Sequence, residues 1–392
     1  MRRILSSLAA LAFCLALVVP APAAEKPLTF GMLLVGPYND KGYSQAQYEG
    51  GKYVEAHLPG AKMLYLDKLN PADRPGVTVP QVVDDLAAKG ATLIFAGSDD
   101  MKDGIREAAE QHPELTFVHI SGDDALTGKA PKNLGNVFSK MEYAKMMAGF
   151  SAAMTTKTGK IGFLGPLIND ETRRLADAAY LGARYAWEKV RGQKAGDLSF
   201  KVTWIGFWFN IPGVTSDPNQ VAGSFFDQGY DVVISGIDTP EALTVAAARR
   251  KAGADVHALP YDYKDACASA PEACLGVPYF NWGPALLPIV QDVAAGAWKS
   301  DFVWLAPDFA ALNDPDKSPV GFLPGQGLSS ENKKALDQFT ADLGSGKVNL
   351  FAGPLAYQDG TVFVPAGRTA TDKELWFCPQ LLHGMEGASA SK

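Results

Sequence analysis

The sequence predicts an α/β protein with two lobes, each built on a doubly wound parallel sheet. Apolar, β-rich runs alternate with segments in which apolar residues recur every three or four positions. These runs are continuously apolar, which is typical of strands covered by helices on both faces, and the order strand, helix, strand favours parallel sheets. The chain has 392 residues, more than the roughly 250 to 300 at which one hydrophobic core stops growing.

The first 24 residues are predicted to form a cleaved signal peptide. Two arginines are followed by an apolar stretch over 4–19, and Ala21-Pro22-Ala23-Ala24 supplies the small residues that signal peptidase requires. Because Phe13 precedes Cys14 where lipid attachment requires a small residue, we expect no lipid anchor. The rest of the chain has no apolar stretch of about 18 residues, so no membrane-spanning helix is predicted. We expect an exported protein that does not insert into the membrane.

The predicted strands occur in two series. Seven strand and helix units are too many for one small sheet, and we interpret 133–138 as a connector between the series. A segment dense in Pro, Asp and Gly over 306–326 is predicted to be a loop or a return crossing between the lobes. The predicted strands are 28–35, 62–66, 92–96, 115–120, 160–164, 200–205 and 231–235.

The charge pattern and the motifs restrict the function. The chain has 36 Lys and Arg against 43 Asp and Glu, and the predicted leader contains two of the arginines and no acid. Nucleic acids and anionic membranes require clustered basic residues, so neither is an expected partner. The chain contains no nucleophile-elbow, zinc-protease or phosphate-loop motif, and its five histidines have no recognisable metal-ligand spacing. We therefore expect no catalysis, no cofactor and no metal.

Aromatic and acidic side chains follow four predicted strands at their C-terminal ends. Ligands of doubly wound sheets bind outside these ends, so the pattern predicts one pocket with aromatic faces for a flat ring and carboxylates for its N–H and O–H groups. Alternatively, the aromatics pack between the lobes and the acids cap helices, as Asp40 and Asp238 would do. The candidates are Tyr38, Asp40, Tyr43 and Ser44 after the first strand, Phe207 and Trp208 after 200–205, Asp238 after 231–235, Tyr261 and Asp262 after a strand near 256–259, and Trp282 within 277–290.

Three cysteines follow the predicted leader. Cys267 and Cys274 enclose a short loop, and in an oxidising compartment their proximity predicts a disulfide. Cys378 is predicted to be a free, buried side chain that packs like a small apolar residue.

Three segments resemble the basic membrane protein family of ABC-transporter substrate-binding proteins, which includes purine-nucleoside receptors. Residues 40–50, DKGYSQAQYEG, are similar to the family pattern D-K-S-F-N-D-x-A-Y-E-G. Residues 147–163 resemble A-G-x-x-A-A-x-x-S-K-T-G-K-x-G-F. Residues 351–355 with Asp359-Gly360 resemble the C-terminal F-x-G-P-I and D-x-G signature.

The resemblance implies a type I periplasmic binding fold whose lobes close on the ligand about a three-segment hinge. It implies a monomer in the periplasm whose partners are a small molecule and an ABC permease of the inner membrane. The implied N-terminal lobe comprises 25–138 and 281–304, and the C-terminal lobe comprises 139–280 and 305–345. Residues 346–392 are expected to pack near the hinge.

The resemblance also implies roles for the candidate residues. Tyr43 would stack on the ligand from the N-terminal lobe with Asp40 as an anchor nearby, and Phe207 or Trp208 would face it. Asp238 and Asp262 would accept polar hydrogens. The chain departs from the family at Tyr43-Ser44, where Phe-Asn is typical and an amide is lost.

The implied ligand is a purine nucleobase or nucleoside. A flavin or another aromatic molecule is the alternative, as is a periplasmic sensor that serves a histidine kinase. An exported hydrolase is a further alternative, for which no nucleophile with a base is found.

Overall fold

The protein is described as a computed structural model that covers residues 28–390. The predicted signal peptide and Cys14 lie outside the described residues. The helices and strands, in chain order, are β1 (Thr29–Leu33), α1 (Tyr43–His57), β2 (Lys62–Leu66), α2 (Val79–Ala88), β3 (Leu93–Ala96), α3 (Lys102–Gln111), β4 (Thr116–Ile120), α4 (Asp124–Thr127), β5 (Leu134–Ser139), α5 (Glu142–Thr155), β6 (Lys160–Gly165), α6 (Asp170–Tyr185), β7 (Ser199–Trp204), α7 (Pro218–Asp227), β8 (Val232–Ser235), α8 (Glu241–Lys251), β9 (His257–Leu259), β10 (Gly276–Phe280), α9 (Trp282–Ala294), β11 (Phe302–Leu305), β12 (Val320–Pro324), α10 (Ser330–Gly344), β13 (Leu355–Ala356), β14 (Val362–Val364), α11 (Asp372–Trp376) and β15 (Met385–Glu386).

The first sheet has six parallel strands in the order β11-β5-β4-β3-β1-β2. With its helices we name it the N-lobe. The interpretation of 133–138 as a connector is wrong, because this segment forms β5 between β4 and β11. Its polar residue Asn136 is compatible with a central strand because its amide accepts the N–H of Ala125 at 2.9 Å and donates to the carbonyl of Ser121 at 3.0 Å.

The second sheet has five parallel strands in the order β15-β7-β6-β8-β9, and with its helices it forms the C-lobe. β10 and β12 pair antiparallel beside it. β12 lies within the segment 306–326 that was predicted to be a loop or return crossing. Val320 and Phe322 on this strand are buried, and the side chain of Asn313 holds the middle of the strand by hydrogen bonds to the backbone of Phe322.

The chain passes between the two sheets at three places: from β5 to α5, from β10 to α9, and from β11 to β12. Residues of the C-terminal segment pack beside these crossings. The Trp376 ring lies edge-on to Phe302 and Trp304 at 4.6 and 5.1 Å between centroids, and Asp372 accepts a hydrogen bond from Lys140 at 2.8 Å. The segment therefore ties β11, at the edge of the N-lobe sheet, to the crossing between β5 and α5.

Helices α5 and α6 pack against each other at close range. An ideal Cβ on Gly149 would overlap the backbone of Ala179, and one on Gly182 would overlap the backbone of Met146. Glycine at these two positions allows the helix backbones to touch. The contact holds α6 against α5, and the first turn of α6 forms one wall of the cleft described below.

The structure confirms the predicted disulfide between Cys267 and Cys274. Cys378 is the free cysteine of the described chain and is buried, as predicted. Its Sγ donates to Oδ2 of Asp177 at 3.1 Å, and the N–H of Leu382 donates to the other oxygen of this carboxyl at 3.0 Å. These bonds attach the C-terminal segment to α6.

Candidate ligand-binding cleft

A cleft lies between the two lobes at the carboxyl ends of their strands. It encloses about 460 Å³, counting the part that opens to solvent. Parallel strands place their C-terminal ends at one edge of each sheet, so the loops that follow them meet here. The lining comprises Tyr43, Ser98, Asp99 and Ser121 from the N-lobe, and Phe163, Pro166, Glu171, Thr172, Leu175, Trp208, Gly236, Asp238, Tyr261 and Asp262 from the C-lobe.

The structure brings five of the predicted residues together in this lining: Tyr43, Trp208, Asp238, Tyr261 and Asp262. They come from four separate loops and both lobes. Their convergence follows from the rule that ligands of doubly wound sheets bind beyond the strand ends.

Tyr43 is the first residue of α1 and presents an aromatic ring from the N-lobe. The ring is held edge-on by Phe280 and Trp282, with centroid distances of 5.9 and 6.1 Å. Burial raises the pKa of the Tyr43 phenol well above its ordinary value, so the side chain is neutral near pH 7. The fixed ring supplies a flat, uncharged surface.

Trp208 provides an aromatic surface from the C-lobe, in the loop after β7. It is 8% exposed, and its Nε1–H has no acceptor at normal hydrogen-bond geometry, the Asp100 carboxyl being a nearby acceptor outside that geometry. The carbonyl of Trp208 accepts the N–H of Asp238 at 2.9 Å, which joins the loops that follow β7 and β8. A buried indole N–H without a partner is costly, and it can donate to a ligand in the cleft.

Asp262 is completely buried and neither carboxyl oxygen has a hydrogen-bond partner. Its backbone has φ of 70°, an unusual conformation for a residue other than glycine. The N–H of Asp262 donates to Pro278 and its carbonyl accepts from Phe280, each at 3.1 Å, so strand β10 holds this backbone in place. Burial raises the pKa of Asp262 well above its ordinary value.

A buried lysine lies behind the cleft. Nζ of Lys145, on α5, is 3.1 Å from the centre of the Tyr261 ring and donates to the carbonyl of Ser235 at 2.7 Å. Burial lowers the pKa of Lys145 to about 7, while the carboxyl of Asp262 acts in the opposite direction. The lysine fixes the Tyr261 ring and partly balances the charge of Asp262.

Glu171 is a functional candidate that the strand-end interpretation missed. It lies in the first turn of α6, after Asn169 caps the helix by accepting the N–H of Thr172 at 2.9 Å. Burial raises the pKa of Glu171 to about 7. The same rule applied to β6 would have found it, because the segment after this strand carries an acidic pair, Asp170-Glu171.

The ends of β3 and β4 also reach the cleft and were missed. Ser98 and Asp99 follow β3, and Ser121 follows β4. Ser121 has φ of 71°, and its hydroxyl has no hydrogen-bond partner. No aromatic residue follows either strand end, but the acidic pair Asp99-Asp100 follows β3 and could have indicated this part of the site.

Three of the predicted site residues after β1 lie outside the cleft lining. Tyr38 is 40% exposed and packs its ring against Tyr48 and Tyr65 instead. Asp40 accepts the N–H groups of residues 42, 44 and 45, so its carboxylate caps the start of α1 as the alternative interpretation predicted. The Ser44 hydroxyl accepts the N–H of Gly36 at 2.9 Å and thereby fixes the loop after β1.

Two predicted aromatics also lie elsewhere. Phe207 packs edge-on against Phe209 at 5.1 Å, and both rings lie against the apolar core beside α2 and α3 of the N-lobe. Trp282 is 1% exposed and stacks on Phe280 at 4.8 Å. It supports Tyr43 from behind without lining the cleft. Of the two alternatives for the facing aromatic, Trp208 is the one in the lining.

The carboxyl groups of the cleft influence one another. Burial raises the pKa of Asp238 well above its ordinary value, and the nearby carboxyls of Asp262, Asp40 and Glu171 raise it further. Asp238 does not cap α8, which starts after Pro240 without a side-chain cap. Asp238 is therefore free to face a ligand.

Residues 28–390 contain no cluster of His, Cys, Asp and Glu suited to a metal ion. Over the same residues, no helix combines the length and the apolar character that crossing a membrane requires.

Comparison with solved structures shows the fold. An ABC transporter solute-binding protein from Conexibacter woesei DSM 14684 is 18% identical with a TM-score of 0.59, and the match covers 82% of this chain and 98% of that one. A solute-binding protein of an ABC transporter system from Aeropyrum pernix K1 is 15% identical with a TM-score of 0.64, covering 82% and 93%. The predicted fold of two parallel-sheet lobes, as in periplasmic binding proteins, is confirmed.

Comparison of sequences shows the family. A purine-binding protein from Brucella abortus (strain 2308) is 27% identical over 357 residues, which is 91% of this chain and 92% of the relative. The pattern of the Bmp family, described as ABC transporter substrate-binding protein PnrA-like, matches residues 28–306. The family description is that of a substrate-binding protein, which agrees with the expectation that the chain does not catalyse a reaction. The chain belongs to the PnrA-like Bmp family of ABC transporter substrate-binding proteins.

Proposed function

We propose that the protein binds a purine nucleobase or nucleoside in the cleft and delivers it from the periplasm to a membrane permease. One observation carries the proposal: Tyr43 and Trp208 present aromatic surfaces from opposite lobes, beside the unpartnered, buried carboxyl of Asp262. A purine offers two flat faces for the rings and N–H groups for the carboxyl. The relative from Brucella abortus that is described as purine-binding supports the same ligand class.

The mechanism requires no chemical bond to change. The N-lobe contributes Tyr43 and the C-lobe contributes Trp208 and Asp262, so a ligand that contacts all three binds the closed form better than the open form. The ligand shifts the population toward closure by this difference in affinity. We propose that each lobe moves as one unit about the three crossings, with the lobe boundaries predicted from the sequence. We also propose that the permease recognises the closed form.

The energies are sufficient for tight binding. Each aromatic pair adds about 0.5 to 1.5 kcal/mol beyond the area that it buries, and each charge-assisted hydrogen bond adds about 1.5 to 3 kcal/mol. Together with the buried area of the ring, these contributions allow micromolar or better affinity.

Thermal unfolding with a ligand panel tests the proposal. Adenine, guanine, adenosine, riboflavin and glucose would each be added in excess to the mature protein. A ligand that binds the folded state stabilises it by RT ln(1 + [L]/Kd), about 2.7 kcal/mol when its concentration is 100 times Kd. We expect a purine to raise Tm; stabilisation by riboflavin alone or by glucose alone would contradict the purine assignment.

Delivery to a permease needs a separate test. We expect deletion of the gene to abolish uptake of radiolabelled purine by intact cells, and the Asp262→Asn variant to restore less uptake than the parent. Normal uptake in the deletion strain, with loss of a transcriptional response to purine, would indicate a sensor.

A further inference from the structure

We propose that the acidic lining selects among purines by charge: the cleft binds purines rich in amino and ring N–H donors and excludes purines that carry a negative charge. This inference rests on the proposed function and narrows it to a class of purine. Three features support it: the number of carboxyl groups, the position of the nearby cations outside the lining, and the uncharged donors in the lining.

The first feature is the excess of carboxyl groups. Four of them line the cleft, contributed by Asp99 of the N-lobe and by Glu171, Asp238 and Asp262 of the C-lobe. Both oxygens of the fully buried Asp262 lack partners. A buried acceptor without a donor is costly, so a ligand that brings N–H groups relieves this cost, whereas an anion adds repulsion.

The second feature is that the cations near the cleft lie outside its lining. Arg174 pairs with Glu142 at 2.6 Å in a buried salt bridge and leaves Nη2 without a hydrogen-bond partner, and Lys102 pairs with Asp123. Nζ of Lys145 lies against the Tyr261 ring and donates to the carbonyl of Ser235. None of these three side chains belongs to the lining of the cleft.

The third feature is that the side-chain donors in the lining are uncharged hydroxyl and indole groups. Tyr43, Tyr261, Ser98 and Thr172 supply hydroxyls. The indole N–H of Trp208 and the hydroxyl of Ser121 are buried and unpartnered. They suit one or two acceptor atoms, such as a ring nitrogen of a neutral purine. An anionic oxopurine would direct several acceptor oxygens toward the carboxyl groups of the lining. An ionised carboxyl has no hydrogen to donate, so not all of these oxygens would find a donor.

Burial raises the pKa of Glu171 to about 7 and that of Asp238 well above its ordinary value. The carboxyls of Asp99 and Glu142 raise the Glu171 pKa, whereas Arg174 and Lys145 lower it. At pH 8 Glu171 is mostly ionised, so the repulsion of an anion should be stronger there than at pH 6.

Calorimetric titration of the parent with adenine, hypoxanthine and urate at pH 8 tests the proposal. Urate is an anion at this pH and has nearly the size of the other two. We expect adenine to bind most tightly and urate to bind at least about a hundredfold more weakly. Repulsion of the anion by two unit charges of the cleft, each weakening binding about tenfold, would give this difference. Equal affinity for adenine and urate would overturn charge selection while leaving the purine function intact.

A matched pair of variants assigns the effect to the cleft. Glu171→Gln removes one carboxyl from the lining, and Glu110→Gln makes the same change on the exposed surface of α3. We expect Glu171→Gln to reduce the ratio of adenine to urate affinity about tenfold and Glu110→Gln to leave it unchanged. If Glu171→Gln does not fold, Asp99→Asn replaces it with the same expectation.

The outcomes separate this inference from the function on which it rests. An unchanged ratio in the folded cleft variant, or the same reduction in Glu110→Gln, would overturn the selection by the cleft carboxyls. Binding of neither these three nucleobases nor adenosine to the parent would overturn both the selection and the purine function.

Discussion

Tyr43 is buried against two other aromatic rings, so its role in binding depends on its face more than on its hydroxyl. We expect Tyr43→Phe to keep most of the affinity for a purine, because the flat surface remains. Tyr43→Ala should lose at least about 0.5 to 1.5 kcal/mol, with a further loss from the buried area. Isothermal titration measures both changes, and equal affinity in Tyr43→Ala and the parent would place the ligand elsewhere.

Asp262 tests hydrogen bonding separately from stacking. Asp262→Asn keeps the shape of the side chain, and asparagine tolerates the positive φ of this position. We expect a loss of about 1 to 3 kcal/mol in purine binding, because an acceptor oxygen of the carboxyl is replaced by an amide NH₂ that leaves an N–H group of the ligand unpaired. Titration gives the value, and circular dichroism serves as the control for folding. A variant that binds as tightly as the parent would exclude Asp262 as a ligand contact.

Asp177 couples the stability of the protein to pH. Burial raises the pKa of Asp177 to about 8 from its model-compound value of 3.8. At a pH between these two pKa values, Asp177 is protonated in the folded state and ionised in the unfolded state. Its contribution to the stability of the folded state is therefore present at low pH and is lost as pH rises toward 8. Asp177→Asn cannot titrate, and its amide oxygen can still accept the N–H of Leu382.

We therefore expect Asp177→Asn to become more stable relative to the parent as pH rises from 5 to 7. The difference in the free energy of unfolding should change by about 1 kcal/mol for each pH unit. Urea unfolding of both proteins at pH 5, 6 and 7 provides the measurement. A difference that stays constant over this range would mean that Asp177 is ionised in the folded protein.

At the scale of elements, hydrophobic pattern predicted the strands that are apolar throughout. The apolar runs identified β1 to β4 and β6 to β8 to within two residues. β1, β3, β4 and β8 are buried at nearly every position, as two covered faces demand, whereas β2 at the sheet edge and β7 are only partly buried. β5 was missed because its Asn136 and Gly135 resemble turn residues, and only the tertiary hydrogen bonds of the Asn136 amide explain why they fit a central strand. β12 was hidden by the prolines and glycines around it.

Aromatic and acidic residues at the C-terminal ends of strands predicted part of the candidate site. This pattern identified Tyr43, Trp208 and Asp262, which line the cleft. It could not distinguish them from Phe207 and Trp282, because an aromatic residue that packs between elements has the same local sequence. Which side of a loop faces the cleft depends on contacts between residues far apart in the chain.

The disulfide stabilises the loop that follows the Asp262 strand end. Cys267 and Cys274 are separated by seven positions, and closing a loop of this length reduces the entropy of the unfolded chain by an amount worth about 2.5 kcal/mol. We expect the double variant Cys267→Ser, Cys274→Ser to lose about 2 kcal/mol in stability to urea. Cys378→Ser is a comparison that leaves the bridge intact, and peptide mapping without reduction should show one linked pair. A peptide that joins Cys378 to either partner would contradict this assignment.

At the scale of the whole molecule, the two lobes touch each other around the cleft. The Asn169 side chain donates to Asp99 across it at 3.3 Å, and Phe207 and Phe209 of the C-lobe pack against an apolar cluster of the N-lobe. Gly42, just before α1, lies against the backbone of Asp238. These contacts define a closed arrangement that both lobes must be able to reach for a ligand to contact Tyr43 and Asp262 together.

Gly42 allows this closure because it has no side chain. An ideal Cβ at this position would overlap the carbonyl oxygen of Asp238, and the backbone of Gly42, with φ of −149° and ψ of −136°, lies outside the regions that residues with a Cβ favour. We expect Gly42→Ala to fold with reduced stability and to bind a purine at least about tenfold more weakly, equivalent to about 1.4 kcal/mol, because the lobes cannot close fully. The matched control is Gly196→Ala, where a Cβ would meet no atom within 4 Å. Small-angle scattering should show that purine reduces the radius of gyration of the parent and of Gly196→Ala but not of Gly42→Ala. If Gly42→Ala closes and binds as the parent does, the contact with Asp238 does not limit closure, and the lobes must approach each other along a different path.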